Sequence, residues 1–262
     1  MGVDCCIFCG VNLDAGQKDL PSSRTGEHAF ARWYRDVVVN NKIKMFTAVQ
    51  GVSPVLHRQP PLGRLINKNV CKSCNNGWMS QLETDVTPLV QRLTAGEDIR
   101  TFSKPEVETL ARWAAKTAAV LSHVTPQLQR VPKHASMSLH PDRRVAPKYR
   151  VFYSQIKADL TLEGGFLQLV YGSELGLVGT NELPGTRITL CVYNHCFTVD
   201  FPPIVEGLSY DLSETCSAML WPTWIPAGAA EINVPTPAPI SDVLFAICSR
   251  IVPRLELNAL AP

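Results

Sequence analysis

Hydrophobic positions recur most regularly over residues 104–123. Val107, Leu110, Ala111, Ala114, Ala118 and Leu121 fall at helical spacing, which gathers them on one apolar face. Ser103-Lys-Pro-Glu106 precedes them with the spacing of a capping box, Ser103 as N-cap, Glu106 reaching back and Pro105 in the first turn. The pattern predicts a packing helix with Trp113 in the core. A second helix is expected from Asn75 to about Leu93, limited or bent by Gly77 and Pro88.

Elsewhere the apolar runs are short and strand-like. Residues 43–49 and 64–70 each read as a strand, with 53–63 a connecting excursion rich in proline. Further strands are expected at 150–155, 166–171, 187–193 and 196–202, the last two a hairpin turning at Asn194-His195 with His195 at its tip. A short helix is expected from Ser241 to before Pro253. Residues 1–30 read as loop-rich and 124–150 as an irregular basic excursion. The fold class is α+β, with a small domain over 1–95 and an α+β domain over 96–262 that has one long helix and short antiparallel strands.

Composition narrows the class. With 262 residues, 45% hydrophobic and 18% charged, the chain is expected to be soluble and globular, not disordered or collagen-like. No apolar run approaches the roughly 18 residues of a membrane span, and Met1-Gly-Val-Asp-Cys-Cys lacks the form of a secretory signal, so no membrane partner and a cytoplasmic location are expected. Charge is uneven. Residues 1–100 carry 12 Lys and Arg against 9 Asp and Glu, residues 101–150 carry 9 against 3, and residues 151–262 carry 4 against 11. The first 150 residues therefore suit a polyanion, and the acidic remainder is left for packing, self-association or a protein partner.

Of the nine cysteines, Cys191, Cys196, Cys216 and Cys248 stand in apolar surroundings and read as free thiols that pack as small hydrophobes. The N-terminal ones are different. Cys6-Ile-Phe-Cys9-Gly10 and Cys71-Lys-Ser-Cys74 are two C-x2-C pairs, the spacing at which thiolates share a tetrahedral Zn²⁺ while the glycine permits the tight turn. Cys5 can replace Cys6, at the cost of three intervening residues instead of two. A site closed by four thiolates has no open position to activate water. Beside it, Glu27 and Asn75 offer hard oxygen ligands for a divalent ion such as Mg²⁺, which leaves the His28 imidazole as the candidate general base.

Cys-x2-Cys-Gly, then Glu27-His28-x-Phe-x-x-Trp33, then Val70-Cys-x2-Cys-Asn-Asn-Gly-Trp-Met-Ser-x-Leu-Glu83 resembles the zinc-stapled HNH endonucleases of the ββα-metal superfamily, over residues 5–83. The resemblance implies an N-terminal ββα-metal finger packed on the α+β module, with zinc on Cys6, Cys9, Cys71 and Cys74. It implies catalytic Mg²⁺ or Mn²⁺ on Glu27 and Asn75, His28 as base, and hydrolysis of phosphodiester bonds in nucleic acid, with DNA the expected substrate. Arg24, Arg32, Arg35, Lys42, Lys44 and Lys72 are the candidate phosphate contacts. The chain departs from the family in three places. Ile66 stands where the central asparagine is usual, with Asn67 the nearest substitute. Met79 stands one turn after Asn75, where some relatives place a second ligand. The acid is Glu instead of the commoner Asp. Glu83, two turns beyond Asn75 and roughly 12 Å along a helix axis, is placed outside the site. Trp33 and Trp78 are expected to close a small core over the zinc. The competing reading is a zinc-finger protein without catalysis that binds nucleic acid or a partner.

Overall fold

The structure, a computed structural model, describes residues 5–13, 20–31, 33–34, 44–49, 55–58, 61–124, 131–142, 149–157, 165–171, 185–192, 195–202, 208–211, 218–221, 231–233 and 252–255. Two compact units divide the chain, Met1–Lys42 with Pro60–Pro147, and Ile43–Gln59 with Lys148–Pro262. This division differs from the expected boundary between 95 and 96. The long helix belongs to the first unit, and the strand at 43–49 to the second.

In the first unit β1 (Arg24–His28) pairs antiparallel with β4 (Ile66–Cys71), Thr25 opposite Val70 and Glu27 opposite Asn67. The register slips between these pairs, and Asn67 Oδ1 takes the Asn69 N–H at 2.7 Å within the irregularity. From β4 the chain turns directly into a helical rod made of α1 (Lys72–Cys74), a π-helical stretch (Asn75–Met79) and α2 (Ser80–Thr94). Gly77 departs from helical geometry (φ −93°, ψ −114°), so of the expected limit or bend at this glycine the structure shows the bend. Pro88 sits inside α2 on the solvent side, while Leu82, Val86, Leu89, Val90 and Leu93 are buried on the other. An amphipathic face outweighs the lost backbone hydrogen bond there.

Helix α3 (Lys104–Leu121) starts at the expected capping box, with the Ser103 N–H donating to Glu106 Oε2 at 2.7 Å. From Trp113 to Leu121 every residue is buried, so the helix is central and not one-faced. Arg92 ties α2 to α3. Its guanidinium lies 4.1 Å from the centre of the Phe102 ring, donates from Nε to Glu97 at 2.8 Å and pairs with Glu106. A short helix, α4 (Lys133–Met137), occupies part of the segment read as irregular. Phe30 stacks on Tyr34 at 4.4 Å, and Trp33 lies 5.7 Å from the buried Trp113.

The second unit holds a largely antiparallel sheet. Its strands are β2 (Lys44–Val49), β3 (Val55–Arg58), β5 (Arg150–Lys157), β6 (Gly165–Tyr171), β7 (Gly185–Val192), β8 (His195–Phe201) and β10 (Ala218–Trp221), in the order β10-β5-β8-β7-β6-β2-β3. β2 runs parallel to β6, and β11 (Glu231–Asn233) parallel to β5. β9 (Leu208–Asp211) and β12 (Val252–Leu255) form a separate pair. β3 lies in the stretch read as a connecting excursion, because pairing to β2 overrides its poor local signal. The helix expected from Ser241 falls outside the described residues apart from its end at β12.

Three facing pairs on β7 and β8 share one side of that sheet. Arg187 pairs with Asp200 at 3.2 Å, Thr189 bonds Thr198 at 2.9 Å, and Cys191 is joined to Cys196 in a disulfide. The expectation of free thiols at Cys191 and Cys196 is thus corrected; facing positions on adjacent strands bring their Cα atoms to 4.4 Å, within disulfide reach. His195 is likewise not a tip residue. It opens β8, is 3% exposed and shares a 2.7 Å hydrogen bond with the Tyr153 hydroxyl.

Candidate functional site

Cys6 to Gly10 forms a tight knuckle. The Gly10 N–H donates to Cys6 O at 2.9 Å, and Gly10 adopts φ 75°, a conformation that favours glycine. The Ile7 N–H donates to Asn69 O at 3.0 Å, which fastens the knuckle to β4. The second pair stands at the strand-to-helix junction. Cys71 ends β4 and caps α1, its sulfur accepting from the Cys74 N–H at 3.4 Å.

The sulfurs of Cys6, Cys9, Cys71 and Cys74 all lie within 4.8 Å of one another, and Cys9 and Cys71 are 3.6 Å apart. A tetrahedral zinc with bonds of about 2.3 Å needs sulfurs about 3.8 Å apart, so the four thiols have the spacing and chemistry of a four-thiolate zinc centre. A hydrogen bond from Cys74, the largest influence, helps draw Cys6 down to about 4, while burial pushes Cys9 up to about 11. Cys74 is held far above its ordinary value by that same bond and by burial. Four close sulfurs cannot all ionise without a cation among them. Cys5 stands apart from the four, its thiol donating to Asn12 Oδ1 at 3.2 Å. Trp78 packs edge-on against Phe8 of the knuckle at 5.3 Å, whereas Trp33, expected over the zinc with it, lies against Tyr34 and Trp113.

Adjacent residues on a strand face opposite ways, and β1 turns Glu27 inward (8% exposed) and His28 outward. Asn75, in the first turns of the rod, donates from its amide nitrogen to Thr25 Oγ1 at 3.1 Å. Asn75 is therefore bound to β1 and is not the helix cap, which is Cys71. Its donation fixes the amide so that the oxygen remains for another partner. Asn67 is buried, 1% exposed, and its Nδ2 makes no hydrogen bond among the described residues. Ile66, opposite His28, is exposed.

A fully buried ammonium completes this region. Lys116 of α3, 0% exposed, lies 3.4 Å from Glu27 Oε1 and also binds Glu83 Oε1. The other Glu83 oxygen accepts the Trp33 indole N–H at 3.0 Å. Glu83 is thus linked to Glu27 through Lys116, although it stands about two turns along the helix from Asn75. Burial raises Glu27 and outweighs the opposing pull of Lys116. Burial works to lower Lys116, but Glu83 and Glu27 together raise it. These directions are consistent if the ammonium is shared unequally, with Glu83 the nearer partner.

Lys116 was missed by periodicity, although one signal existed. It is the single charge in Trp113-Ala-Ala-Lys-Thr-Ala-Ala-Val-Leu-Ser122, and a lone cation in such a stretch is buried only if paired. Of the candidate phosphate contacts, Arg24 and Lys72 lie on the same strand–helix unit as His28. Lys44 opens β2 in the second unit, and Arg32, Arg35 and Lys42 lie outside the described residues. Comparison with family models, with curated proteins and with solved structures finds no match. Among the described residues no helix is long and apolar enough to cross a membrane.

Proposed function

We propose that this chain is a zinc-stapled, divalent-metal-dependent endonuclease of the HNH kind, acting on phosphodiester bonds in nucleic acid, DNA first. The observation that carries the reading is the arrangement of β1. It pairs with the strand that leads through Cys71 and Cys74 into a helix, sets Glu27 inward and His28 outward, and is bonded to Asn75 at that helix's first turns. Two antiparallel strands and a helix stapled by thiolates are what a ββα-metal site requires, and the cluster supplies the staple that a small finger needs in place of a large core.

The zinc thiolates hold the scaffold and take no part in the reaction. Glu27 and Asn75 offer a carboxylate and an amide oxygen, the donors a hard cation accepts, and they would hold the catalytic ion. When bound, that ion supplies charge neutralisation at the phosphate and the leaving oxygen. His28, outward and exposed, takes the proton of the attacking water, and Arg24 and Lys72 neutralise flanking phosphates.

One observation favours the competing reading of a binding module without catalysis. The Glu27 carboxylate already faces the Lys116 ammonium, which it shares with Glu83, so part of its charge is compensated without any ion. The two readings separate on metal dependence. As ligands, Glu27→Gln and Asn75→Ala lower cleavage most at low Mn²⁺ and recover as Mn²⁺ is raised. Nucleic-acid binding by wild type with no cleavage at any Mn²⁺ or Mg²⁺ concentration favours the binding module.

A further inference from the structure

A charged network runs behind β1 and has no role in either reading as stated. Trp33 donates to Glu83, Glu83 binds Lys116, and Lys116 reaches Glu27. The network joins β1, α2 and α3, and its ammonium is fully buried. Two carboxylates and one ammonium leave a charge of −2 + 1 = −1 when ionised. A net buried charge is costly, and a cation at the free side of Glu27 is one way to offset it. Lys116 engages only Oε1 of Glu27, 3.4 Å away, and Asn67 faces Glu27 across the strand pair with a buried, unbonded amide nitrogen.

We propose that Lys116 is the positioning residue of the divalent-ion site: its ammonium fixes one carboxylate oxygen of Glu27 and leaves the other for the ion, while Glu83 and Trp33 hold the ammonium in place. This rests on the reading of Glu27 as a cation ligand. Lys116 acts through Glu27 and does not itself touch the substrate. Partners that orient a ligand set how tightly the metal is held, typically by ten-fold or more.

Mn²⁺ binding to the zinc-loaded full chain, followed by electron paramagnetic resonance, tests this, with Glu27→Gln as the blank that defines the site. Lys116→Met with Glu83→Gln removes the ammonium and one carboxylate together, so the buried charge stays at −1. That double variant is expected to fold, to keep its zinc and to bind Mn²⁺ roughly ten-fold more weakly than wild type. Equal Mn²⁺ affinity in the folded double variant overturns the proposal, because a network that serves only the fold leaves affinity unmoved. If the double variant does not fold, Trp33→Phe, which removes the donor to Glu83 and keeps an aromatic ring against Trp113, carries the same comparison: weaker binding supports the proposal and unchanged binding overturns it. Wild type that binds Mn²⁺ through Glu27 yet cuts nothing defeats the nuclease reading alone. Wild type with no Glu27-dependent Mn²⁺ binding defeats both.

Discussion

At the scale of single residues, the cluster of four thiols that could hold a metal was legible because its chemistry is fixed by spacing. Two C-x2-C pairs and a glycine that must adopt positive φ leave few geometries, and Gly10 at 75° is one of them. Loss of one ligand should therefore release the ion. Cys71→Ser is expected to lower zinc from about one per chain to near zero by elemental analysis, while the serine hydroxyl can still cap α1. Acid should do the same, since protons compete for each thiolate, so zinc retention is expected to fall as pH is lowered. Glu83 and Lys116 were not legible, for a physical reason. Their partnership joins residues 33 positions apart on two helices, and no local pattern encodes it. The same limit applies to the Cys191–Cys196 disulfide: the hairpin was readable, but whether its facing thiols are joined depends on register.

At the scale of elements, the helices were read well where capping and periodicity agree. The α3 capping box is an example, and Ser103→Ala is expected to destabilise the protein by about 1 kcal/mol, measured by urea unfolding. The α2–α3 connection adds a pH dependence. Hydrogen bonding from Arg92 and Thr101 holds Glu97 down at about 2, and Ser103 with Arg92 lowers Glu106. Both carboxylates have lower values in the folded chain than unfolded. Their contribution is therefore present above about pH 4.3 and is lost as pH falls toward 2. Exposure keeps the effect small, and Arg92→Ala is expected to flatten the acid limb of a stability–pH curve. Strands were read less well. β3 carries little signal of its own within a proline-rich stretch, and β2 was readable as a strand but not as the parallel neighbour of β6, 121 residues away by register. Non-local pairing decides both.

At the scale of the whole molecule, the α+β class followed from the mixture of one periodic helix with many short apolar runs, whereas the division into units did not. The strand pair β2–β3 leaves the first unit between Lys42 and Pro60 and joins the sheet of the second. Pro54, Pro60 and Pro61 mark a connection there but not which sheet the strands join. The charge asymmetry bears on function at this scale, since the basic first 150 residues provide Arg24 and Lys72 at the end of the β1–β4 pair opposite His28. The logarithm of nucleic-acid affinity is expected to fall linearly with the logarithm of salt concentration, and Lys72→Ala to reduce that slope by about one phosphate contact.

The central claim is that His28 is the base of a nuclease built on a thiolate-held scaffold. Its most direct test is plasmid and single-strand cleavage with Mg²⁺ or Mn²⁺, wild type beside His28→Ala, after metal analysis of both proteins. His28 is exposed on β1 and is not one of the four clustered thiol residues that the scaffold needs, so the variant should keep its zinc. The account predicts about one zinc in each protein and a drop in cleavage of roughly 10²- to 10⁴-fold in the variant, the usual contribution of a general base. Equal cleavage by both proteins, or none by zinc-loaded wild type with either ion, contradicts it.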